Sequence, residues 1–529
     1  MTPPLAPLPA GATAPPTVPT GIPLAHLVGE LPHFRLHGPA DPLGVHALAC
    51  HTDHVRPGTL FACVPGTRQD GHVWAAAAVA RGASALLVAH PLPELGGIPQ
   101  VEVPDVRSAM AILSRALHGR PDRRLLVLAV TGTNGKTTTT FMLQAIFAVA
   151  QRPVGLIGTV CYRLGQREVR SPLTTPDAPT LYGMLAEIAD AGLHGVALEA
   201  SSHALAQGRL EGLEVDTAVF TNLSRDHLDY HGNAMAYFAA KRRLFRPRGG
   251  SKTHPALAVV CTDTAAGRLV AREARGHRRL VTFGIQSPAD VRGRHRPRNR
   301  GASLQVEGDF GRLELRLNLP GPHNAQNALA AFGAALGNGV HPESAAHALE
   351  HLPPVPGRFE AVALGQDFQV VVDFAHNPAG LAAALQTARR TCRGALTVVF
   401  GCKGGDGDAE KRARMGELAG RYADHVLLTT DDPYAEDPAA IAAQVAVGLR
   451  RGDARWRTVL DRRQAVVEAI GAARPGDCVL VAGRGHETRQ AVATGSVPLD
   501  DRAVCRSALA ERLRAAPLTA PQPGQAAID

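Results

Sequence analysis

Lysine is rare in this chain, and its positions invite a chemical reading. Of 529 residues, 56 are lysine or arginine, and lysine stands only at 136, 241, 252, 403 and 411. A guanidinium stays protonated, whereas a lysine amine can be neutralised and can react. Lysines that persist in an arginine background therefore point to amine chemistry. Lys252 sits in an apparent loop, so persistence alone does not make a site.

Lys136 has the clearest setting. It lies in "AVTGTNGKTTTTFML", residues 129–143. Only two residues separate Gly132 from Gly135, against four in the general phosphate-loop pattern. The context is nevertheless right, because a buried-strand pattern precedes the stretch and a helix pattern follows it. Gly132 and Gly135 let backbone N–H groups turn towards an anion, at a helix N-terminus that favours negative charge. Lys136 can reach terminal phosphates, and Thr137 or Thr138 can ligate Mg²⁺. The bland alternative is a glycine turn with a surface lysine. Glu199, ending the strand pattern "GVALEA", is placed to be a metal carboxylate, or else a helix cap. Asn324 and Asn327 open an Ala-rich helix after a Gly-Pro turn and are good caps in their own right.

Such residues need strands and helices in alternation to hold them. "GTLFACVPG", "AAAAVARGASALLVAH" and "IPQVEVPDV" make a small α/β unit over 21–106. From 107 to 352, "RRLLVLAV", "GVALEA", "DTAVFTNL" and "ALAVVC" read as buried strands, with helices at "KTTTTFMLQAIFAVA" and "NAQNALAAFGAALGNG". This is a mostly parallel sheet covered by helices. The Pro-rich "LPPVPGR" (352–358) reads as a linker. Beyond it, "FQVVVDFA", "ALTVVFG", "DHVLLTT" and "DCVLVAG" alternate with helical stretches in a doubly wound unit over 353–514. Residues 1–20 and 515–529, rich in Pro, Ala and Thr, read as disordered tails. The expected class is α/β with three domains: a small α/β domain, a central P-loop ATPase-type parallel sheet and a C-terminal Rossmann-like domain.

Composition narrows the function. Net charge is +9 and 45% of residues are hydrophobic, ordinary for a globular chain. The basic residues are dispersed without interleaved aromatics, which argues against nucleic acid; the densest run, "RGRHRPRNR" (292–300), reads as a solvated loop. No apolar run reaches membrane-spanning length, and the first residues do not read as a secretory signal. Eight cysteines without a C-x-x-C pair suit a reduced, cytoplasmic protein and argue against zinc. A monomer is expected.

Taken together, "GTNGKTT", "LTTPDAPTL" (173–181), "LEASSHAL" (198–205), "TNLSRDHLDYHG" (221–232), "YFAAKRRLF" (237–245), "GPHNAQNALAA" (321–331), "PGRFE" (356–360), "DFAHNP" (373–378) and "GRGHET" (483–488) resemble the Mur ligase family in motif and order. The resemblance covers 21–514. "TTPD", "SSHAL", "DHLDYHG" and "GHE" mark the branch that adds the third peptide residue, the UDP-N-acetylmuramoyl-tripeptide synthetases. The resemblance implies an ADP-forming ligase that activates a carboxylate as an acyl phosphate, with ATP and Mg²⁺ as cofactors, and UDP-N-acetylmuramoyl-L-alanyl-D-glutamate and a free diamino acid as partners. It implies Mg²⁺ ligation by Thr137, Glu199, His227 and Lys241, with His231 left open. Lys241 matches the family's carbamylated lysine, for which CO₂ must add to a neutral amine; the alternative is a snorkelling surface lysine. Catalysis falls to Lys136, Lys241, Glu199 and His227. ATP would meet Gly132, Thr133, Asn134, Gly135, Lys136, Thr137, Thr138, Asn324, Asn327, Arg358 and Asp373. Arg358 would reach the phosphates as the third domain closes, and Asp373 would bind ribose or orient that arginine. The nucleotide-sugar peptide would meet Thr174, Thr175, Ser201, Gln207 and Arg209, with its uridine in the first domain. There the family's Asp-Ser-Arg is replaced by "HTD" (51–53), which keeps only the hydroxyl of Thr52.

The third domain bears on the amino acid added. Diaminopimelate-adding members resemble "GDRD" and "DNPR", whose arginines clamp a distal carboxylate. Here "GDGD" (405–408) and "DDPY" (431–434) put Gly407 and Tyr434 in those places. Losing such a clamp costs on the order of a few kcal/mol. Asp431, Asp432, Pro433, Tyr434, Gly483 and Glu487 would then receive L-lysine or L-ornithine, with Asp432 suited to a terminal ammonium. The alternatives are diaminopimelate, with Lys403 as a replacement cation, and a folylpolyglutamate-synthetase-like reaction. A non-catalytic ATP-binding module is argued against by intact Lys136, Glu199, His227 and Lys241.

Overall fold

The computed structural model describes residues 21–39, 44–66, 69–246, 255–276, 279–298, 301–405 and 409–515. Residues 1–20 and 516–529, Lys252 and Gly407 therefore lie outside the described residues, while Ala515, expected in the tail, ends the helix Asp501–Ala515. The chain divides into two compact units, one ending at Pro353 and the other starting at Pro354, within the Pro-rich stretch read as a linker.

The first unit holds two large sheets. A five-stranded sheet runs Arg35–His37, Gln100–Glu102, Ala83–Val88, Thr59–Ala62, Ala47–Ala49. All its pairs are parallel except the first. An eleven-stranded sheet has Leu126–Thr131 between Gly195–Glu199 and Thr217–Phe220, parallel to both. Those three strands are buried almost end to end, as a sheet covered by helices on both faces requires. Their carboxyl ends therefore lie side by side, although their residues are far apart in the chain.

One part of this sheet differs from the sequence reading. The basic run expected as a solvated loop forms the strand Val291–Pro297, followed by antiparallel Ala302–Gly308 and Gly311–Leu317. Val291 and Gly293 turn inward while Arg292, Arg294 and Arg296 turn out. The two-residue period is present, but its inward positions are small, so charge hides it. Asn299 and Arg300, which end that run, lie outside the described residues.

The second unit is a six-stranded sheet ordered Glu360–Ala361, Gln369–Asp373, Cys478–Ala482, Leu396–Phe400, His425–Leu428, Arg455–Thr458. Every pair but the first is parallel. The last strand in sequence is inserted beside the first long one. Loops after Asp373, Phe400, Leu428 and Ala482 thus emerge at one edge of the sheet, where open α/β sheets carry their ligands. The helix Pro378–Thr391 starts sharply because Asn377 accepts the Gly380 N–H and proline fills the first turn.

Candidate active site

In the first unit the stretch 132–138 is a glycine-shaped turn into the helix Lys136–Val149, in which the Thr133 and Asn134 N–H groups both donate to Asn222 rather than lying open to an anion. Gly132 and Gly135 both take positive φ, and a Cβ there would run into Thr221 Oγ1 and Asn327 Oδ1 respectively. Only glycine meets both demands. Asn222 fixes the loop from the adjacent strand end: its Oδ1 accepts the Asn134 N–H at 3.0 Å and its Nδ2 donates to Asn134 O at 3.0 Å. Thr133 bonds to the Tyr237 hydroxyl at 3.1 Å. Thr138 is buried in the first helical turn.

Two lysines converge on one carbonyl. Lys136 Nζ donates to Gly132 O and Thr133 O, each at 3.0 Å. Lys241 Nζ donates to the same Gly132 O at 2.8 Å and lies 4.4 Å from the centroid of the Tyr237 ring. Lys241 is 1% exposed, which removes the snorkelling alternative. Burial, with Lys136 beside it, pushes the Lys241 ammonium well below the ordinary lysine range, and Asp226 only partly offsets this.

Glu199, 1% exposed, meets the same helix turn. Its Oε2 accepts from Thr137 Oγ1 at 3.0 Å and Thr159 Oγ1 at 2.9 Å, and its Oε1 accepts the Thr159 N–H at 2.8 Å. It is not a helix cap; Ser201 caps the helix Ser202–Ala206. A buried carboxylate joined to a threonine hydroxyl beside a phosphate loop is an oxygen set that suits a hard cation such as Mg²⁺.

From Glu199 the network runs outward. Thr175 Oγ1 donates to Glu199 O at 2.6 Å and lies 3.1 Å from Ser201 Oγ. Thr159 Oγ1 lies 3.1 Å from Thr174 Oγ1. Arg209 donates to Thr175 O and Gln207 Oε1, both at 2.6 Å, and Gln207 reaches the Tyr230 hydroxyl. His227 packs with Tyr237 and, edge-on, with His203. His231 joins the same ring cluster. Burial, then His227 and His231, lower the His203 imidazole to about 3. Thr52 lies apart from these bonds, in a short turn Thr52–His54 where Asp53 pairs with Arg81 at 2.7 Å.

Asn324 and Asn327 correct an expectation: neither caps its helix. The N-cap is Gly321, and both side chains sit inside the helix, buried. Asn327 Nδ2 donates to Asn324 Oδ1 at 3.2 Å, and Asn327 lies against Gly135. Thr159, Asn222 and His203 were not singled out from the sequence. Asn222 and His203 fall inside quoted motifs, so a signal existed; Thr159 has none.

In the second unit, Arg358 lies 4.5 Å from the centroid of the Phe374 ring. Asp373 accepts the N–H groups of Phe359 at 2.6 Å and Ala375 at 2.9 Å, and Gly483 donates its N–H to Asp373 O. The loops after Leu428 and Ala482 bring together Asp431, Asp432 and Glu487, with one oxygen from each within 4.8 Å of the others. Lys403 donates to Glu487 Oε1 at 2.9 Å and pairs with Asp432 Oδ2 at 3.1 Å. Arg484, fully buried, pairs with Asp432. Pro433 leads into Tyr434, which has a φ of 52° and a phenol raised by burial.

Asp70, His72 and His90 form another group of potential metal ligands. His72, however, uses both ring nitrogens, on Asp70 Oδ1 and the Ala89 N–H, so its role is structural. No described helix is long and apolar enough to cross a membrane.

Comparison with known proteins agrees with this geometry. Residues 44–118 match the Mur ligase family catalytic domain, 130–335 the Mur ligase middle domain and 357–485 the Mur ligase glutamate ligase domain. The UDP-N-acetylmuramoyl-L-alanyl-D-glutamate–2,6-diaminopimelate ligase of Geobacillus thermodenitrificans is 41% identical over 492 residues, covering 92% of this chain and 99% of that protein. The ligase of the same name from Solibacter usitatus is 40% identical, covering 88% and 93%. A solved structure of a ligase of that name is 30% identical, with a TM-score of 0.65, covering 92% and 99%. The resemblance to the third-residue-adding branch agrees with these names. Matched by three family domains and by relatives along nearly its whole length, the chain belongs to the Mur ligase family of ATP-dependent, ADP-forming amide ligases.

Proposed function

We propose that this chain adds the third amino acid to UDP-N-acetylmuramoyl-L-alanyl-D-glutamate, in the cytoplasm. The observation that carries the reading is the convergence of Lys136 and Lys241 on Gly132 O, beside the Thr137–Glu199 pair. A glutamate γ-carboxylate oxygen attacks the γ-phosphorus of ATP and ADP leaves. The amine of the incoming amino acid then attacks the acyl carbon, loses a proton and expels phosphate. Lys136 steadies phosphate charge. Thr137, Glu199 and His227 would hold Mg²⁺, which would supply charge stabilisation for phosphoryl transfer. Lys241, whose charged form its surroundings disfavour, would take up CO₂ as the free amine, lose a proton and become a carbamate that extends this ligand set. The network from Thr174 to Arg209 receives the peptide end of the nucleotide sugar.

The amino acid is L-lysine or L-ornithine. Asp431 Oδ2 and Glu487 Oε2 are buried oxygens that accept no hydrogen bond. Beside Asp432 they suit an ammonium better than a carboxylate, and Tyr434 offers no guanidinium. A second reading, meso-diaminopimelate, is favoured by the names of the relatives and by the presence of Lys403. Ligation assays with the three amino acids side by side decide between them. Strong preference for diaminopimelate overturns the first reading, and absence of both ADP and a new amide with all three overturns the ligase assignment.

A further inference from the structure

Lys403 and Arg484 are the cations paired with the three carboxylates, and they are held very differently. Arg484 is fully buried and also donates to Arg489 O. Lys403 has its backbone fixed, since Arg412 donates to its carbonyl at 3.0 Å and Gly404 N donates to Asp432 O at 2.8 Å. Its side chain is a quarter exposed, so the ammonium has a route to solvent that the guanidinium lacks. Behind it lies Asp431, 1% exposed, with Oδ2 accepting no hydrogen bond. Arg462, the next cation, is committed to Asp501 at 2.8 Å. The trio carries more acceptors than its own cations satisfy, yet its best two-carboxylate position is already filled by a primary ammonium.

A lysine or ornithine side chain ends in the same group. Taking these loops as the amino-acid seat proposed above, we infer that the Lys403 ammonium is a tethered occupant of the position a substrate ammonium takes, and that exchange with it sets how tightly cationic amino acids bind. One ammonium replaces another, so the charge of the pocket is unchanged and no proton has to move. The sequence supports a special role: Lys403 is one of five lysines in the chain. Burial opposes its charge, but Glu487, Asp432 and Asp431 outweigh burial and keep it protonated.

The test uses the full chain as wild type, Lys403→Ala, Lys403→Gln and Lys403→Arg. Thermal melting is followed with added L-lysine, L-ornithine or n-propylamine, against sodium chloride at equal ionic strength. The two neutral variants are expected to melt lower and to regain stability with each amine. Wild type and Lys403→Arg, already holding a cation, are expected to respond less, needing about tenfold more amine for the same rise beyond sodium chloride. In ligation assays the neutral variants should show a KM for the amino acid about tenfold lower, with kcat little changed, because the bound tether no longer reduces the competent fraction. An amine response equal in all four proteins, or a KM unchanged or raised in the neutral variants, overturns the inference. The melting arm needs no turnover, so failure of the ligase reading is seen separately, as absence of ligation by the wild type.

Discussion

Lys241 and Lys403 are both taken largely out of water, and their surroundings drive them in opposite directions. Lys241 faces a carbonyl, the ring of Tyr237 and a second ammonium. Lys403 faces Glu487, Asp432 and Asp431. Burial disfavours the charged amine at both places; the partners decide the outcome. In the first unit the result is a lysine whose charged form is disfavoured, in the second one whose charge is reinforced. Residue type alone does not distinguish the two roles.

The strongest way to break this contrast is Lys241→Ala. Activity is expected to fall about 10³-fold, the scale of a lost charge-positioning group in a closed site. Short carboxylates such as acetate should restore part of it, as measured by ADP release dependent on both co-substrates. An alanine variant with normal turnover means that Lys241 does no chemistry.

Next in size is Arg484→Met. It leaves Asp431, Asp432 and Glu487 sharing Lys403 as their remaining close cation in a buried place, which costs about 3–5 kcal/mol of stability, read as a lower denaturant midpoint. A loss under about 1 kcal/mol, the range of exposed ion pairs, would mean the acidic cluster is more hydrated than its burial implies. Smaller again is Thr137→Val, which removes one hydroxyl from Glu199. The Mg²⁺ concentration for half-maximal activity should rise about 10–100-fold, while the KM for the amino acid stays put.

The smallest effect sharpens the comparison through pH. Lysine ordinarily titrates near about 10.4. Lys403 titrates above that in the folded chain, so its stabilisation is complete below the ordinary value and is lost as pH rises through the folded one. The stability deficit of Lys403→Met should therefore be constant from pH 7 to about 10 and close above it. Lys241 titrates below the ordinary value, so its penalty is full at low pH and fades as pH climbs towards about 10.4. In CO₂-free buffer Lys241→Met should gain stability over wild type at neutral pH and lose that gain on the way up. Neither slope should exceed about 1.4 kcal/mol per pH unit, one proton's worth. Matching slopes would mean the two environments are alike.

Much of this was legible in the chain. The phosphate loop is contiguous, so glycine spacing, the lysine and the following threonines could be read directly. Glu199 was legible because it ends a buried strand. Thr159 was not, because its bond to Glu199 depends on Val154–Ile157 and Gly195–Glu199 being neighbours. The strand Val291–Pro297 was missed because small residues occupy its inward positions. Asn324 and Asn327 were mistaken for caps because the helix already starts at Pro322, so that they stand inside it, and asparagine is as common a cap as it is rare in a helix interior.

By itself the sequence determined the alternation of buried strands and helices, and which residue types could bind phosphate, hold a metal or carry an amine. The tertiary structure decided what each charged group faces. Lys403 and Glu487 are 84 residues apart and meet because the strand Cys478–Ala482 inserts between Gln369–Asp373 and Leu396–Phe400. Strand order is set by packing whole hydrophobic layers, and the energy of a buried charge is set by its nearest few ångströms, so the character of each lysine is fixed only when the sheets close.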